Sequence, residues 1–299
     1  MSAAALLRLV RWPGAVTAAA NAMTGFLVAH AHTRTSHDAA VAAFGVALGG
    51  AIVYSGGVVL NDVADADRDV VIHPERPIPS GAVTAAAART FGVVLLLGGA
   101  ALSMSLGGPW AGAATAAAAL FAFAYDFGAK RRRLPGAAVL GLARGSNALA
   151  GALAGVAAAD VAGAARNPLV VVYVAAVLAY TALLTFASTF EERMPSRLAA
   201  GAFATALFVA AAVPWSVFFA GWREGPVFAY LPFAATLIVA ARDATHPSGI
   251  GMGAVVRAGV FGFLLVDSAW LFGIGRYDNG FGLLLGYVAV RFILSRARS

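Results

Sequence analysis

Residues 39–69 read AAVAAFGVALGGAIVYSGGVVLNDVADADRD, and the character of the chain changes sharply within them. Positions 39–60 carry no charged side chain, whereas four aspartates lie between Asp62 and Asp69. A helix that crosses the hydrocarbon core of a bilayer needs about 20 mostly apolar residues. The stretch therefore predicts a membrane-spanning helix that ends in an acidic cluster.

The rest of the chain repeats the apolar half of this pattern. Of its 299 residues, 61% are hydrophobic and only 12% are charged. A soluble globular domain has about 25% charged residues, so the composition argues against a soluble enzyme and against disorder. The absence of cysteine excludes disulfides and cysteine-ligated metals. Long apolar stretches lie near 14–31, 39–60, 84–106, 109–126, 136–158, 168–190, 199–220, 226–241, 254–274 and 279–294.

These stretches predict an all-α, polytopic membrane protein built as a helical bundle. The stretches 226–241 and 279–294 are short for a full crossing, so we expect nine to ten transmembrane helices. No long polar segment separates them, and residues 1–299 are therefore predicted to form one transmembrane domain.

Basic residues are distributed unevenly between the two sides of the predicted bundle. With the N-terminus inside, the outer loops hold only Arg34, Arg166, Arg223 and Arg276, while most other lysines and arginines fall in inner segments. Such an excess marks the cytoplasmic side of a membrane protein. It accounts for the net charge of +7 without a nucleic-acid partner, and it predicts a multi-pass protein of a plasma membrane or cell inner membrane.

The acidic cluster has the chemistry of a magnesium site. At about 100° per residue, Asp62, Asp65 and Asp69 span an arc of about 60° on a continuous helix, with Asn61 beside them. Mg²⁺ is typically held by one or two carboxylates and by substrate phosphates. The loop that follows contains Arg76, which could contact phosphate oxygens. The alternative is a solvated acidic helix end.

This part of the chain resembles the UbiA family of membrane prenyltransferases. The family has an NDxxDxxxD signature at the end of its second helix, which Asn61, Asp62, Asp65 and Asp69 match. Its following basic RPxxSG loop is matched by residues 76–81. The resemblance implies that the three aspartates hold Mg²⁺ on an isoprenoid diphosphate, with Arg68 or Arg76 among the cations that stabilise the departing diphosphate.

The end of the fourth predicted helix extends the resemblance. Tyr125, Lys130 and the following Leu-Pro-Gly resemble a family element, with one residue more between Tyr and Lys than in its shortest version. The resemblance places Lys130 on the diphosphate, with Tyr125 and Arg131 as further substrate-binding candidates. The alternative is that Lys130 and Arg131 are ordinary flanking charges on the cytoplasmic side.

The fifth predicted helix carries a cation within the membrane. Arg144 costs about 2.5–3.5 kcal/mol near the centre of a spanning helix on insertion scales, so it should face a polar cavity or a partner. Its GxxRxxN spacing, which includes Asn147, is similar to the family's fifth helix. Asn21 lies at comparable depth in the first helix, where the family often has a polar group. Asn21 could equally make a helix-packing hydrogen bond.

The sixth predicted helix is where the resemblance weakens. The family has a second aspartate-rich motif there, whereas this chain has Thr185, Ser188 and Glu192 at the same i, i+3, i+7 spacing, with Glu191 nearby. Ser188, Glu191 and Glu192 are candidate substrate-binding residues, or the two glutamates simply end the helix in solvent. The loss of carboxylates puts a second Mg²⁺ site in doubt and resembles divergent branches such as the EboC-like proteins.

Asp267, in the ninth predicted span, is an intramembrane carboxylate without a supporting motif. Intramembrane acids are functional candidates by default, but protonation or an internal hydrogen bond would explain this one equally well.

Together the motifs predict Mg²⁺-dependent transfer of an isoprenyl group from a polyprenyl diphosphate to an aromatic or other lipophilic acceptor in the membrane. The catalytic candidates are Asp62, Asp65, Asp69, Lys130 and Arg144, at a mouth on the cytoplasmic side. One alternative keeps the fold but uses a polyprenyl-phosphate or lipid-ether substrate. Another is a non-enzymatic transporter of a lipid-like solute, although the charges gather at one face rather than at the midplane.

Overall fold

The computed structural model describes residues 3–31, 37–157, 160–191, 194–218, 225–246 and 251–296; for residues 3–4 and 213–218 it describes the backbone alone. Within these ranges every regular element is helical. The α-helices are α1 Ala3–Val10, α2 Trp12–Ala29, α3 His37–Ala64, α4 Ala66–Ile72, α5 Ala85–Gly107, α6 Pro109–Phe127, α7 Arg133–Ala152, α8 Val161–Arg166, α9 Pro168–Ser188, α10 Arg197–Phe218, α11 Val227–Ala244, α12 Gly253–Gly273 and α13 Tyr277–Arg296, with a 3₁₀ turn at Ala129–Arg131.

Each of the ten apolar stretches of the sequence forms a helix, which confirms the all-α prediction. They correspond to α2, α3, α5, α6, α7 and α9 to α13. Among the described residues, six helices are long and apolar enough to cross a bilayer: α3, α5, α6, α9, α11 and α12. The count of nine to ten spans stays a prediction.

The outer surface of the bundle suits a lipid environment. Large apolar side chains project outward from several helices with about two thirds of their surface exposed: Phe44, Leu97, Leu120, Leu231 and Leu285. Exposed apolar surface on this scale is unusual for a soluble monomer, whereas hydrocarbon chains solvate it without cost. By contrast α12 is buried along nearly its whole length and forms part of the core.

Small residues allow the helices that frame the interior to approach closely. A Cβ atom added to Gly25 of α2 would clash with the backbone oxygen of Ala148, and one added to Gly151 of α7 would clash with that of Ala22. Close backbone approach of this kind is the usual basis of helix association in lipid. It fixes α2 against α7, and both helices carry polar residues of the interior.

The expected single helix through the acidic cluster is broken in the structure. Helix α3 ends at Ala64 and α4 begins at Ala66, with Asp65 between them at φ −99° and ψ 2°. The hydrogen bonds from Asp65 N to Asn61 O and from Asp69 N to Asp65 O persist across the break, at 3.0 Å and 2.9 Å. The chain therefore bends at Asp65 while it keeps most of the helical register, and the aspartates are no longer on one straight helical face.

Candidate functional site

Arginines from two segments contact the aspartates at the end of α3. Asp62 is buried, and its carboxylate lies 2.6 Å from Arg11 and 3.7 Å from Arg76. Arg76 also lies 2.6 Å from the carboxylate of buried Asp69. The basic loop after α4 thus folds back onto the motif, and Arg76 joins its first and last aspartates.

Arg11 reaches this cluster from an unusual backbone position. It lies between α1 and α2 with φ 45°, a left-handed conformation that residues other than glycine seldom adopt. The turn separates the short helix α1 from α2, and it leaves the Arg11 guanidinium in contact with Asp62.

The third aspartate contacts the end of α6. Lys130 Nζ, in the 3₁₀ turn after that helix, lies 2.7 Å from the Asp65 carboxylate, and both side chains are about 20% exposed. One turn earlier, buried Asp126 accepts a hydrogen bond of 2.8 Å from Asn61 Nδ2. The structure therefore brings the residues of the second and fourth predicted helices together at one end of the bundle.

A cavity of about 320 Å³ extends from this charged cluster into the bundle, between α2, α3, α6, α7, α9 and α12. Its lining includes Arg11, Asn61, Tyr125 and Asp126 at the charged end. Apolar side chains of α3 and α12 line much of the remainder, among them Val53, Tyr54, Val256, Val260 and Phe263. A polar entrance and an apolar interior suit an amphiphilic molecule with an ionic head and a hydrocarbon tail.

Arg144 lies on the wall of this cavity, as the sequence predicts for an intramembrane cation. Its Nη2 donates a hydrogen bond of 2.6 Å to Thr17 Oγ1, while its buried Nε has no hydrogen-bond partner. The guanidinium also stacks 4.5 Å from the ring centroid of Phe263 and 5.6 Å from that of Tyr54. Arg144 thus keeps hydrogen-bonding capacity beside the cavity.

Asn147 and Asn21 have different surroundings. Asn147 lines the cavity and donates to the backbone oxygen of Ala18 at 2.9 Å, and its buried Oδ1 has no partner. Asn21 is fully buried and does not line the cavity; its Nδ2 donates to Asp267 at 2.5 Å. The helix-packing alternative therefore describes Asn21, because a buried carboxylate requires donors and Asn21 supplies one.

Asp267 is held by two donors in the core of the bundle. Besides Asn21, the Tyr173 hydroxyl donates to it at 2.7 Å. Arg144 is close enough for a favourable charge interaction with Asp267, which joins this buried network to the cavity wall. The internal hydrogen bond anticipated for this residue is present.

Of the residues at the position of the family's second motif, only some line the same cavity. Thr185 and Ser188 of α9 are both on its wall, and the Ser188 hydroxyl donates to the Thr185 backbone oxygen at 2.8 Å. Glu191 follows the end of α9, is exposed, and lies beside Gly253 at the start of α12. Glu192 lies outside the described residues.

Besides Asn21, four described substrate-binding candidates do not line the cavity: Arg68, Arg76, Arg131 and Glu191. The catalytic candidates Asp62, Asp65, Asp69 and Lys130 also lie outside its lining, in the charged cluster at its end. Arg68 and Arg131 are exposed because they adjoin the inward-facing Asp69 and Lys130 along the chain, and successive helical residues point in directions about 100–120° apart. Tyr125, by contrast, does line the cavity.

The donor atoms of the cluster fit a hard divalent cation, although each aspartate is paired with a side-chain cation. Among the described residues, no three acidic or histidine side chains gather closely enough to hold a metal unaided. Asp62 does lie close enough to Asp65 and Asp69 for mutual repulsion. Since Mg²⁺ commonly takes one or two carboxylates and completes its shell with phosphates and water, the residues present suit that mode of binding.

Sequence reasoning missed Arg11, Thr17 and Asp126. Arg11 belongs to the inner basic segments of the sequence, and nothing in the sequence indicates the left-handed turn that brings it to Asp62. Asp126 could have been found, because an acid four residues before Lys130 at a helix end faces the same part of the bundle.

The chain is similar to proteins of one family, both in its sequence and in its fold. Residues 18–254 match the model of the UbiA prenyltransferase family. The chain is 36% identical over 103 residues to digeranylgeranylglyceryl phosphate synthase of Methanoculleus marisnigri, a match that covers 34% of this chain and 35% of the relative. The enzyme of the same name from Ignicoccus hospitalis is 39% identical over 104 residues, covering 35% and 34%. The chain thus spans about a third of the length of the curated relatives it matches.

Solved structures share the fold. One concerns digeranylgeranylglyceryl phosphate synthase in membranes; it has a TM-score of 0.59 and 20% identity, over 91% of this chain and 98% of that one. Another is a UbiA homolog from Archaeoglobus fulgidus bound to GPP and Mg²⁺, with a TM-score of 0.58 and 15% identity over 93% and 99%. At these identities the likeness concerns the arrangement of the helices.

Proposed function

The chain belongs to the UbiA prenyltransferase family, and from that premise we propose that it transfers an isoprenyl group from an isoprenyl diphosphate to a lipophilic acceptor in the membrane. The observation that carries the proposal is the cavity. Paired acidic and basic groups lie at its entrance, and apolar and aromatic side chains line its interior.

The charged entrance suits a diphosphate head group. Asp62, Asp65 and Asp69 would hold Mg²⁺, which when bound supplies positive charge that stabilises the leaving diphosphate. Arg11, Arg76 and Lys130 now contact these carboxylates at 2.6–2.7 Å. Rotation of these long side chains toward a bound diphosphate would place three further cations on its oxygens.

The interior suits the isoprenyl chain and the charge that develops on it. Transfer breaks the bond between the allylic carbon and the bridging oxygen, and the electron pair leaves with the diphosphate. The rings of Tyr54 and Phe263 can stabilise positive charge on the allylic group by cation–π attraction. The apolar wall keeps water away from that group, so an acceptor rather than water forms the new bond and then releases a proton.

Arg144 gives the cavity a cation that does not belong to the entrance cluster. Its guanidinium has five N–H donors, of which one bonds to Thr17, so others can donate to an anionic or carbonyl oxygen in the cavity. We assign it to the donor diphosphate, with Asn147 and its free Oδ1 orienting a neighbouring donor group.

A glycerol-ether lipid phosphate is the acceptor favoured by a specific observation. The matched relatives are named digeranylgeranylglyceryl phosphate synthases. A second recess of about 330 Å³ beside the entrance is lined by Arg8, Arg11 and Arg76, together with Asp62, Glu75 and Pro77. Arg8, and whichever of Arg11 and Arg76 does not contact the donor diphosphate, could bind the phosphate of such an acceptor while the acceptor's hydroxyl faces the donor. An aromatic acceptor without an anionic group would leave this second anion site unused.

The entrance of the cavity would face the cytoplasm. Arg8, Arg11, Arg76 and Lys130 lie at this end of the bundle, and basic residues mark the cytoplasmic side of membrane proteins. The membrane would be a plasma membrane or cell inner membrane.

The test is to incubate purified protein with labelled geranyl, farnesyl or geranylgeranyl diphosphate and a membrane lipid extract, with and without Mg²⁺. We expect a labelled lipid product that requires Mg²⁺ and is lost in Asp62→Ala. Asp67→Ala is the matched control, because Asp67 belongs to the same sequence cluster but is exposed. Turnover by Asp62→Ala at the rate of the wild type would contradict the site assignment.

A further inference from the structure

A large recess outside the candidate site lies between α10 and α11. It has a volume of about 800 Å³ and shares no lining residue with the cavity beside the acidic cluster. Its floor is formed by small and apolar residues, namely Gly201, Ala204, Phe208, Ala234, Leu237, Ile238 and Ala241.

One end of this recess is basic. Arg197, the first residue of α10, and Arg242, in the last turn of α11, both line it, with Thr245 and His246 beside them. Both arginines are exposed, and within the described part of the chain neither guanidinium group has an ion-pair or hydrogen-bond partner. No acidic residue is among the described residues that line the recess.

The dimensions of the recess correspond to one leaflet of a bilayer. At 1.5 Å per residue, Phe208 lies about 16 Å along α10 from Arg197, and Ala234 lies about 12 Å along α11 from Arg242. Half of a hydrocarbon core is about 15 Å. An occupant with its charged group at the arginines would therefore extend an apolar chain toward the middle of the membrane.

We propose that the recess between α10 and α11 binds a membrane lipid with an anionic phosphate head group, which contacts Arg197 and Arg242 while its hydrocarbon chain lies on the apolar floor. Basic pockets between membrane helices commonly bind anionic lipids. A free phosphate would leave the long apolar floor unused. A second copy of the chain docked with this recess on the two-fold axis would bring the same arginines together with like charge.

The head-group half of the proposal is tested with native mass spectrometry of the purified full chain in detergent micelles. The probes are dioleoyl phosphatidylglycerol, dioleoyl phosphatidylcholine and inorganic phosphate. We expect phosphatidylglycerol to be retained more tightly than phosphatidylcholine, and Arg197→Gln/Arg242→Gln to lower that affinity roughly 30-fold, since each basic side chain near anionic lipid contributes about fivefold. Arg89→Gln/Arg291→Gln is the matched control, since both residues are exposed and neither lines the recess.

The hydrocarbon half is tested with Gly201→Phe. A Cβ atom at Gly201 meets no other residue within 4 Å, so a bulky side chain can occupy the recess without a clash in the core. We expect this variant to lose phosphatidylglycerol retention although both arginines remain. Equal retention by the wild type and by either recess variant would overturn the proposal. Displacement of phosphatidylglycerol by inorganic phosphate at equal concentration would also overturn it, in favour of a simple anion site. These measurements do not depend on prenyl transfer, so their failure would leave the proposed enzymatic activity untouched.

Discussion

Replacement of Arg144 by methionine should distinguish the contribution of this residue to turnover from its contribution to the stability of the fold. An arginine near the centre of a spanning helix costs about 2.5–3.5 kcal/mol on insertion scales. In the folded protein it recovers a charge-assisted hydrogen bond to Thr17 Oγ1 at 2.6 Å, worth about 1.5–3 kcal/mol. Its stacking on Phe263 adds about 0.5–2 kcal/mol. Arg144→Met also removes the charge interaction with Asp267, although that carboxyl keeps its donors Asn21 and Tyr173. The contributions nearly offset the insertion cost, so the substitution should change the stability by less than about 2 kcal/mol.

The effect of the same substitution on turnover should be much larger. Loss of one preorganised donor at a site of developing charge typically lowers the rate about 10²–10³-fold. We therefore expect Arg144→Met to unfold near the temperature of the wild type in a thermal-shift assay but to lose at least about 100-fold in prenyl transfer. Arg144→Lys keeps the charge and should recover part of the rate. Turnover by Arg144→Met within a few-fold of the wild type would refute a role for this cation in the cavity.

Three further substitutions test other parts of the account. Asp62→Ala should abolish Mg²⁺-dependent transfer measured with labelled donor, whereas Asp67→Ala should retain it; equal losses would mean that the cluster acts only through its total charge. Asp126→Ala removes the hydrogen-bond acceptor of Asn61 Nδ2. The loss of one hydrogen bond of about 1–1.5 kcal/mol should weaken the binding of a non-hydrolysable diphosphate analogue about 5–10-fold in calorimetry. Unchanged affinity would show that Asn61 does not need the hydrogen bond to Asp126. Gly151→Val should lower the free energy of unfolding by about 1–3 kcal/mol, because its side chain would clash with the Ala22 backbone oxygen; a thermal midpoint equal to that of the wild type would contradict the close α2–α7 packing.

The helices were the most predictable part of this protein. Each apolar stretch is long enough to need a helix in lipid, where every backbone polar group must find a partner within its own segment. The placement of the helices along the chain is therefore a local property of the sequence. The bend at Asp65 was not predicted, because no proline or glycine marks it in the sequence. It is a local distortion, since the hydrogen bonds on either side of it persist.

The contacts between segments were less predictable. Asp62 and Asp69 could be grouped from their spacing, but the contact between Arg11 and Asp62 spans 51 residues and depends on a left-handed turn. Asn21 and Asp267 are 246 residues apart, and each alone was ambiguous. Only the packing of α2 against α12 brings the amide and the carboxylate together, and it directs Asn21 away from the cavity.

The binding of a non-hydrolysable geranylgeranyl diphosphate analogue to the purified protein can be followed by calorimetric titration in the presence and absence of Mg²⁺. We expect saturable binding that needs Mg²⁺ and disappears in Asp62→Ala but persists in Asp67→Ala. Binding that is equally tight without Mg²⁺, or equally tight in both variants, would contradict the assignment of these aspartates to the diphosphate.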